Sequence, residues 1–511
     1  MKRNPTAAIT VITLLAALAL PAPLAAQHTR YKLIDIGTFG GPASYFTDPG
    51  IGGKSKVLNN RGMLAGKAET TTPIPSFGNV GNCPPACFVT HVFRWDKGVL
   101  TDLGALPGGD NSDIGGINAR GWIVGCSTTG EIDPLLDAPL CHATLWKGNE
   151  IVDLGTLGGF ISNAFHVDDG GQIVGASTTG TPDPLSFLAE SIHPFVWQNG
   201  VMHDIGTLQD GTIALPSNQC GNGRNGLVTG FSFINSVVNP NTGVPTAHDF
   251  LWHDGKMEDI PTLGGTLVGS ELDAGAECVN NRGQVAGGST VSDDPLILHP
   301  YLWDHGVLTD LGTLGGSIGT VSWLNDAADV VGGASTPNDE SFHATLWKKG
   351  VINDLGTLPG DCFSDASTIN SNDQIVGASF NCDTNTLRAV LWNKGSIVDL
   401  NTLIPANSSL ELFDATNIND RGEIAGRGLP AGCDDVHFCG HVFLLIPCGN
   451  ATTCEDNTRV TTTATQNNAA IMTKRSSVST QGPLMPMQRL VAWRAQLAQR
   501  LHLPRFGTPK H

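Results

Sequence analysis

The sequence predicts an all-β protein, an eight-bladed β-propeller of four-stranded antiparallel blades that is closed by pairing of its N- and C-terminal strands. The first supporting observation is a phrase close to Asp-Leu-Gly-Thr-Leu that occurs eight times, beginning at Asp35, Asp102, Asp153, Asp204, Asp259, Asp310, Asp354 and Asp399. The second is the composition. With 63 Gly in 511 residues, few charges and no long helical pattern, it is typical of many short strands joined by tight turns.

The third observation is that the two ends of the repeat array complement each other. Every phrase except the first follows a Trp by seven residues, and these are Trp95, Trp146, Trp197, Trp252, Trp303, Trp347 and Trp392. The first phrase has no Trp strand before it, whereas residues 441–445 resemble a Trp strand and have no phrase after them. A ring closes in this way when the first strand completes the last blade. A solenoid of stacked hairpins is the alternative, but it requires polar caps rather than complementary ends.

Two hairpins divide each repeat into four strands of about fifty residues in total. In the first hairpin an Asn-type residue is followed by Gly and then by a second Gly, as at Asn118, Gly121 and Gly125, which predicts a tight turn and a short strand. We expect the second Gly to admit the backbone of the next blade, and it is present in all eight repeats: Gly66, Gly125, Gly175, Gly230, Gly287, Gly332, Gly377 and Gly426. The second hairpin follows each Trp, and its two-residue turn predicts a register with Thr345 opposite Asp354.

The Trp strand opens with a His-Ala-Phe-like triplet, as in His142-Ala143-Thr144 and His343-Ala344-Thr345. With the Asp phrase, this pattern resembles the bacterial extracellular HAF-repeat proteins over roughly residues 31–446. The resemblance implies secretion and a repeat scaffold, and it implies no particular activity.

The sequence divides into five regions. Residues 1–26 resemble a secretory signal peptide, with Lys2 and Arg3 before an apolar run and small residues before the expected cleavage site; a membrane anchor is the alternative. Residues 27–448 are the predicted propeller and residues 449–487 a Cys-containing, then disordered linker rich in Thr, Ser, Asn and Gln. Residues 488–503 are a predicted basic amphipathic helix, and residues 504–511 a disordered tail.

Twelve Cys in a chain with a signal peptide predict disulfides, and therefore a secreted, extracellular or periplasmic protein. Sequence proximity suggests the pairs Cys83 with Cys87, Cys126 with Cys141, Cys362 with Cys382, Cys433 with Cys439 and Cys448 with Cys454, which leaves Cys220 and Cys278. A metal site is the alternative. It is disfavoured because no second pair with His follows Cys83 and Cys87 at zinc-ligand spacing, so we expect no metal and no cofactor.

Recurring His and Trp residues receive structural roles because every repeat carries them. His opens the Trp strand as His91, His142, His193, His248, His299, His343 and His441, with Arg388 as the exception. The register places each His diagonal to the Asp of the following phrase, which predicts a cross-strand His/Asp hydrogen bond in each blade. The seven Trp residues are predicted to fill the space between blades, although Trp rows can also stack on sugars or on a quinone.

Binding residues are sought where the repeats differ. Long connections at residues 67–90, 126–141, 176–192, 231–247 and 288–298 lie on one face of the predicted ring, and such loops commonly carry binding sites. The candidate residues in these connections and in the sixth repeat are Asp133, Asp183, Asp294, Glu131, Glu190 and Glu340. Turn initiation by Asp-Pro and ordinary solvated charges are the alternatives for these carboxylates.

Charge limits the class of partner. The net charge of −18 disfavours nucleic acid, whereas residues 455–511 carry eight basic and two acidic residues. The basic helix could therefore bind a membrane surface or the acidic ring. We expect a monomeric, secreted binding or interaction scaffold with an unidentified glycan or protein ligand. A secreted carbohydrate-active enzyme that uses loop carboxylates for hydrolysis or lysis is the alternative; no catalytic motif identifies its residues.

Overall fold

The computed structural model describes residues 29–46, 55–74, 88–133, 138–186, 188–217, 226–239, 244–268, 278–292, 294, 296–433, 436–448, 454 and 461–462. The predicted signal peptide, the basic helix at 488–503 and the terminal tail lie outside these residues. So do Cys83, Cys87 and Cys220, and the side chain of Asp133.

Eight antiparallel sheets form the ring and confirm the predicted fold class. Blade 1 contains β2 (Gly40–Tyr45), β3 (Leu64–Pro73), β4 (Phe88–Asp96) and β5 (Val99–Asp102). Blade 2 contains β6 (Ser112–Ile117), β7 (Ile123–Asp133), β8 (Ala138–Lys147) and β9 (Glu150–Asp153). Blade 3 contains β10 (Ser162–Val167), β11 (Ile173–Pro182), β12 (Glu190–Gln198) and β13 (Val201–Asp204). Blade 4 contains β14 (Ala214–Pro216), β15 (Val228–Val238), β16 (Pro245–His253) and β17 (Lys256–Ile260).

The second half of the ring repeats this order. Blade 5 contains β18 (Cys278–Val279), β19 (Val285–Thr290), β20 (Leu298–Asp304) and β21 (Val307–Asp310). Blade 6 contains β22 (Gly319–Leu324), β23 (Val330–Ser335), β24 (Phe342–Lys348) and β25 (Val351–Asp354), with a 3₁₀ turn at Pro337–Asp339. Blade 7 contains β26 (Phe363–Ile369), β27 (Ile375–Asn381), β28 (Thr386–Asn393) and β29 (Ser396–Asp399), followed by a 3₁₀ turn at Leu400–Leu403. The first strands of blades 2 and 3 pack against each other, as do those of blades 5 to 8 in succession, which places these strands innermost.

Blade 8 joins the two ends of the chain. It contains β30 (Leu410–Ile418), β31 (Ile424–Pro430), the short helix α1 (Val436–Cys439), β32 (His441–Cys448) and, as its outermost strand, β1 (Arg30–Asp35). The antiparallel register places Arg30 opposite Cys448 and Asp35 opposite Phe443. The complementary ends seen in the sequence therefore share one sheet, and the ring is closed by backbone hydrogen bonds rather than by loop contacts.

The recurrent Gly of the second strand is required by its own blade. A Cβ at Gly125 would lie 1.9 Å from the carbonyl oxygen of Asp113, and one at Gly377 would lie 2.0 Å from that of Asp365. Both oxygens belong to the innermost strand of the same blade, beside a bulge where the register shifts. The expectation that this Gly admits the next blade is wrong, because the bulge directs a carbonyl group of its own sheet onto the Gly.

A belt of Asn side chains joins the inner turns of neighbouring blades. The Oδ1 of Asn59 accepts hydrogen bonds from the backbone N–H groups of Arg61 (2.9 Å) and Met63 (3.0 Å). The Nδ2 groups of the belt donate to the next blade, from Asn59 to Asn118 O (2.9 Å), Asn118 to Asp168 O (2.9 Å), Asn280 to Asn325 O (3.2 Å), Asn370 to Asn419 O (3.0 Å) and Asn419 to Asn59 O (3.0 Å). Asn suits this position because one amide both closes its own turn and donates to the neighbour. The Asn419 bond joins the last blade of the ring to the first.

The predicted long connections are mostly strand. The segments 126–141, 176–192 and 231–247 fall largely within the hairpins β7–β8, β11–β12 and β15–β16, which extend the sheets of blades 2 to 4. Their interpretation as loops is wrong because regular backbone pairing continues past the repeat motif, with only a local register irregularity in each hairpin. We call these three hairpins the hairpin wall.

The Trp residues occupy the interior register in all seven blades. Trp95, Trp146, Trp303, Trp347 and Trp392 are buried. In blades 6 and 7 the indole N–H of Trp347 and Trp392 donates to the carbonyls of Gly312 (3.2 Å) and Leu355 (2.9 Å) in the preceding blade. Trp197 and Trp252 are only partly buried.

Disulfides and a C-terminal segment add further links to the ring. The structure contains the bonds Cys126–Cys141, Cys362–Cys382, Cys433–Cys439 and Cys448–Cys454, four of the five pairs expected from sequence proximity, and Cys278 is also disulfide-bonded. Within the predicted linker, β33 (Thr461–Thr462) pairs in parallel with the outermost strand of blade 1. The described part of the chain contains no helix long and apolar enough to cross a membrane.

Candidate functional site

A His/Asp pair joins the third and fourth strands in seven blades. The pairs are His91–Asp102, His142–Asp153, His193–Asp204, His248–Asp259, His299–Asp310, His343–Asp354 and His441–Asp35, with Nδ1 to carboxylate distances of 2.7 to 3.0 Å. The last pair joins the two chain ends. The predicted register is present, since Thr345 lies opposite Asp354.

Where the phrase reads Asp-x-Gly, which it does not at Asp259-Ile260-Pro261 in blade 4, the Asp also fixes the end of the outermost strand. The carboxylate accepts the backbone N–H of the Gly two residues later, as from Gly104, Gly155, Gly206, Gly312 and Gly356 at 2.7 to 2.8 Å. These Gly residues have φ between +65° and +76°, a region that other residues rarely adopt. The Asp-x-Gly order of the phrase is thus explained by a single carboxylate that accepts hydrogen bonds both from the His side chain and from the backbone N–H of the Gly.

The pairing changes proton affinities. Hydrogen bonding from His343, opposed by burial and assisted by the Gly356 amide, lowers the pKa of the Asp354 carboxyl. Burial would raise the pKa of Asp204, but hydrogen bonds from His193 and the Gly206 amide hold it below its ordinary value. Burial would lower the pKa of His91, but the Asp102 carboxylate raises it overall. The carboxyls of Asp204 and Asp354 are therefore ionised at neutral pH, as acceptors of these hydrogen bonds must be.

Blade 7 replaces the His with Arg388 and adds a second carboxylate. The guanidinium donates to Asp361, whose side chain is fully buried, and lies 3.7 Å from the Asp399 carboxylate of the phrase. Asp361 also accepts a hydrogen bond from Ser379 Oγ at 2.7 Å. Because a buried carboxylate requires a cation or several donors, Asp361 explains why this blade departs from His.

Sequence reasoning missed a set of buried Ser residues that join successive blades. Ser112 Oγ accepts the Val92 N–H (2.8 Å) and donates to the Gly104 carbonyl (2.8 Å), both in blade 1. Ser364 makes the same two contacts with Ala344 N–H (2.9 Å) and Gly356 O (2.8 Å) in blade 6. The available signal was the recurrence of Ser at the start of the innermost strand, shortly after the Asp phrase.

The candidate Asp residues of the Asp-Pro-Leu segments form turns. The Oδ1 of Asp183 accepts the Leu185 N–H and that of Asp294 accepts the Leu296 N–H, both at 2.9 Å. Asp183 is 4% exposed and its Oδ2 has no hydrogen-bond partner among the residues that the structure describes, whereas Asp294 is exposed. Asp133 ends strand β7. Turn initiation accounts for the geometry of Asp183 and Asp294.

The candidate Glu residues do not converge. Glu190 is buried, and its Oε2 accepts the Gly180 N–H at 3.3 Å across its own hairpin. Glu131 on blade 2 and Glu340 on blade 6 are exposed. The six candidate carboxylates are thus spread over blades 2, 3, 5 and 6. The described part of the chain contains no cluster of three or more His, Cys, Asp or Glu that could hold a metal ion.

Exposed apolar side chains mark the hairpin wall. Ile132 on β7 is 45% exposed, and Val237 and Val238 near the end of β15 are 73% and 43% exposed. Phe160, in the connection between blades 2 and 3 on the same face, is 44% exposed. Large apolar side chains at the ends of regular hairpins are typical of contact surfaces.

A separate cleft lies between blades 3 and 4, towards the face that carries the tight turns. Its volume is about 360 Å³, and it is lined by Gln172, Val196, Gln198, His203, Asp204, Ile205, Trp252 and Gly255. We call it the blade 3/4 cleft. Its residues come from three strands of blade 3 and from the third strand and following turn of blade 4, so only the closed packing of the two blades brings them together.

Comparisons with known proteins find solved structures with low similarity to this one. No family model and no curated protein matches the chain. The structure is similar to the β-propeller domain of the Trilobed protease from Pyrococcus furiosus, with a TM-score of 0.40, 9% identity, and coverage of 70% of this chain and 96% of that one. TolB from Acinetobacter baumannii matches with a TM-score of 0.30, 12% identity and 64% coverage of each chain. An ulvan lyase matches with a TM-score of 0.33, 9% identity, and coverage of 79% and 95%.

Proposed function

We propose that this protein is a secreted binding scaffold of the HAF-repeat type, and that its macromolecular ligand, a protein or a glycan, binds to the hairpin wall. The observation that carries the proposal is the contrast between the halves of the ring. The second and third strands of blades 1 to 4, which include the hairpin wall, have 9 to 11 residues, whereas the corresponding strands of blades 5 and 6 have 6 and 7 residues. A rigid ring with one raised, partly apolar sector is suited to binding.

Secretion is supported by the disulfides. Bonds such as Cys126–Cys141, between the second and third strands of blade 2, and Cys362–Cys382, which spans the first two strands of blade 7, persist in an oxidising compartment and are rare in the cytosol. The repeated His residues pair with Asp in seven blades and five of the seven repeated Trp residues are buried, so we look for specificity in what the blades do not share.

The test replaces the apolar side chains of the wall. We expect Ile132→Ser/Val237→Ser/Val238→Ser to reduce binding to isolated cell-surface proteins and glycans at least tenfold in surface plasmon resonance. The matched control is Val307→Ser/Val351→Ser, which changes apolar residues that are 64% and 57% exposed at the start of outermost strands in blades 5 and 6. Equal loss of binding in both variants would contradict the proposal.

The enzyme alternative is tested on the same preparation. Incubation with surface polysaccharides and analysis of the products would reveal hydrolysis or lysis. Turnover that is lost in Glu190→Gln or Glu340→Gln while binding persists would replace the scaffold proposal with the enzyme.

A further inference from the structure

The blade 3/4 cleft presents polar groups that the repeat uses internally elsewhere. In blade 5 the counterparts of Gln172 and Gln198 are Gln284 and Asp304, which bind each other at 3.0 Å. In blade 6 they are Asp329 and Lys348, an ion pair of 2.8 Å. In blade 2 they are Trp122 and Lys147, with the ammonium 4.4 Å from the ring centroid. In these three blades the two positions therefore interact with each other.

In blade 3 the same positions face the cleft without such partners. Within the described residues, the side chains of Gln172, Gln198 and His203 make no hydrogen bond. The indole N–H of Trp252 likewise has no acceptor there, unlike those of Trp347 and Trp392. Gln198 and His203 are exposed, and Gln172 and Trp252 are partly buried. Four hydrogen-bonding side chains thus converge on one cavity with capacity to spare.

The chemistry of the lining selects a class of ligand. Carboxamides and an imidazole can both donate and accept, as sugar hydroxyl groups do, and the Asp204 carboxylate supplies a further acceptor. Trp252 offers an aromatic surface, and Val196 and Ile205 supply apolar contact for the C–H groups of a sugar ring. The described residues that line the cleft include one carboxylate and neither Lys nor Arg, which favours a neutral ligand over an anionic one. A volume of about 360 Å³ lies at the lower end of the range of small-ligand sites.

We infer that the blade 3/4 cleft binds a neutral sugar unit, which stacks on Trp252 and forms hydrogen bonds to Gln172, Gln198 and His203. This site lies towards the opposite face from the hairpin wall and does not depend on the function proposed for that wall. The protein would then bind a glycan in the blade 3/4 cleft and its macromolecular ligand at the hairpin wall on the other face of the ring.

The test is isothermal titration of the full-length mature protein with neutral mono- and oligosaccharides of glucose, galactose, mannose and N-acetylglucosamine, and with glucuronate-containing oligosaccharides for comparison. We expect binding of at least one neutral sugar and at least tenfold weaker binding of its uronate analogue. The double variant Gln172→Ala/Gln198→Ala and the single variant His203→Ala should each weaken sugar binding at least tenfold, because each removes hydrogen bonds to the sugar. These side chains make no hydrogen bond within the described residues, so their removal should leave the fold unchanged.

Matched controls lie at the same repeat positions in other blades. Asn393→Ala replaces the counterpart of Gln198 in blade 7, and Thr309→Ala replaces the counterpart of His203 in blade 5; both should bind as the wild type does. Circular dichroism and the melting temperature establish that each variant is folded, and Trp252→Phe, which keeps an aromatic ring, should retain part of the affinity.

Three results would overturn the inference: no binding of any neutral sugar at millimolar concentration, undiminished binding in the Gln172/Gln198 double variant, or equal loss in the control variants. If sugar binding is lost in the Ile132/Val237/Val238 variant and kept in the cleft variants, the sugar binds to the hairpin wall. In that case the cleft assignment fails while the scaffold function stands.

Discussion

Replacement of the recurrent Gly by Ala tests whether the bulge of the innermost strand imposes it. In Gly377→Ala the new Cβ would lie 2.0 Å from the Asp365 carbonyl oxygen and 3.0 Å from the Ala366 Cα, whereas close C–H···O contacts in sheets span about 3.3 Å. The two innermost strands of blade 7 would have to separate by more than roughly 1 Å. This movement weakens about two backbone hydrogen bonds and leaves their buried groups unsatisfied, at a cost of about 3 to 5 kcal/mol.

Gly395, in the outer hairpin turn of the same blade, is the matched control. Its φ is +76° and a Cβ there would meet no atom within 4 Å, so Gly395→Ala carries only the backbone penalty of about 1 kcal/mol. For a ring of about 400 residues, 1 kcal/mol corresponds to roughly 1 °C in melting temperature. Differential scanning calorimetry should therefore show a decrease of roughly 4 °C for Gly377→Ala and roughly 1 °C for Gly395→Ala. Equal decreases would refute the steric argument.

Three further predictions concern polar contacts. Arg388→His introduces the residue of the other blades but leaves the buried Asp361 without its cation, so we expect urea unfolding to show a destabilisation of about 3 kcal/mol. The double variant Arg388→His/Asp361→Asn should largely restore the stability. Full stability of the single variant would contradict this account. Asn419→Asp removes the Nδ2 donor to Asn59 O in blade 1 and to Glu423, so we expect the free energy of unfolding to fall by about 2 kcal/mol in the same measurement. An unchanged free energy of unfolding would show that the belt of Asn side chains does not stabilise the ring. The lowered pKa values of Asp204 and Asp354 imply a stabilisation that is complete above the unfolded pKa of about 3.9 and decreases as the pH falls through the folded pKa values. The melting temperature of Asp354→Asn should therefore depend less steeply on pH between pH 2 and 5 than that of the wild type. An unchanged pH dependence would show that the His343–Asp354 pair does not contribute to stability.

The sequence was sufficient for the architecture because the repeat encodes it several times. The phrase at Asp354 and its Trp347 strand fix a two-residue hairpin, so the register of the outer strands and the His343–Asp354 contact could be predicted from alternation. The unpaired phrase at Asp35 likewise predicted which strand completes the last blade.

Features that depend on long-range geometry could not be predicted. The bulge beside Asp365 changes no residue pattern, and therefore the reason for Gly377 was assigned to the wrong neighbour. The strands of the hairpin wall alternate weakly, so their pairing beyond the repeat motif was interpreted as loop. The blade 3/4 cleft is built by ordinary polar residues such as Gln172 and His203, and their significance arises only where their usual partners are missing.

Hydrogen–deuterium exchange of the mature protein tests ring closure most directly. The account predicts that the alternate amides of residues 31–36 that face β32, such as Ile36, are protected to the same degree as the amides of residues 441–446 that face β1, because these two segments form one antiparallel pair and Ile36 N–H donates to Val442 O at 3.0 Å. Both segments should also lose protection together in urea. Rapid exchange across residues 31–36, while the outermost strand at 396–399 of blade 7 stays protected, would contradict a ring closed by its two ends.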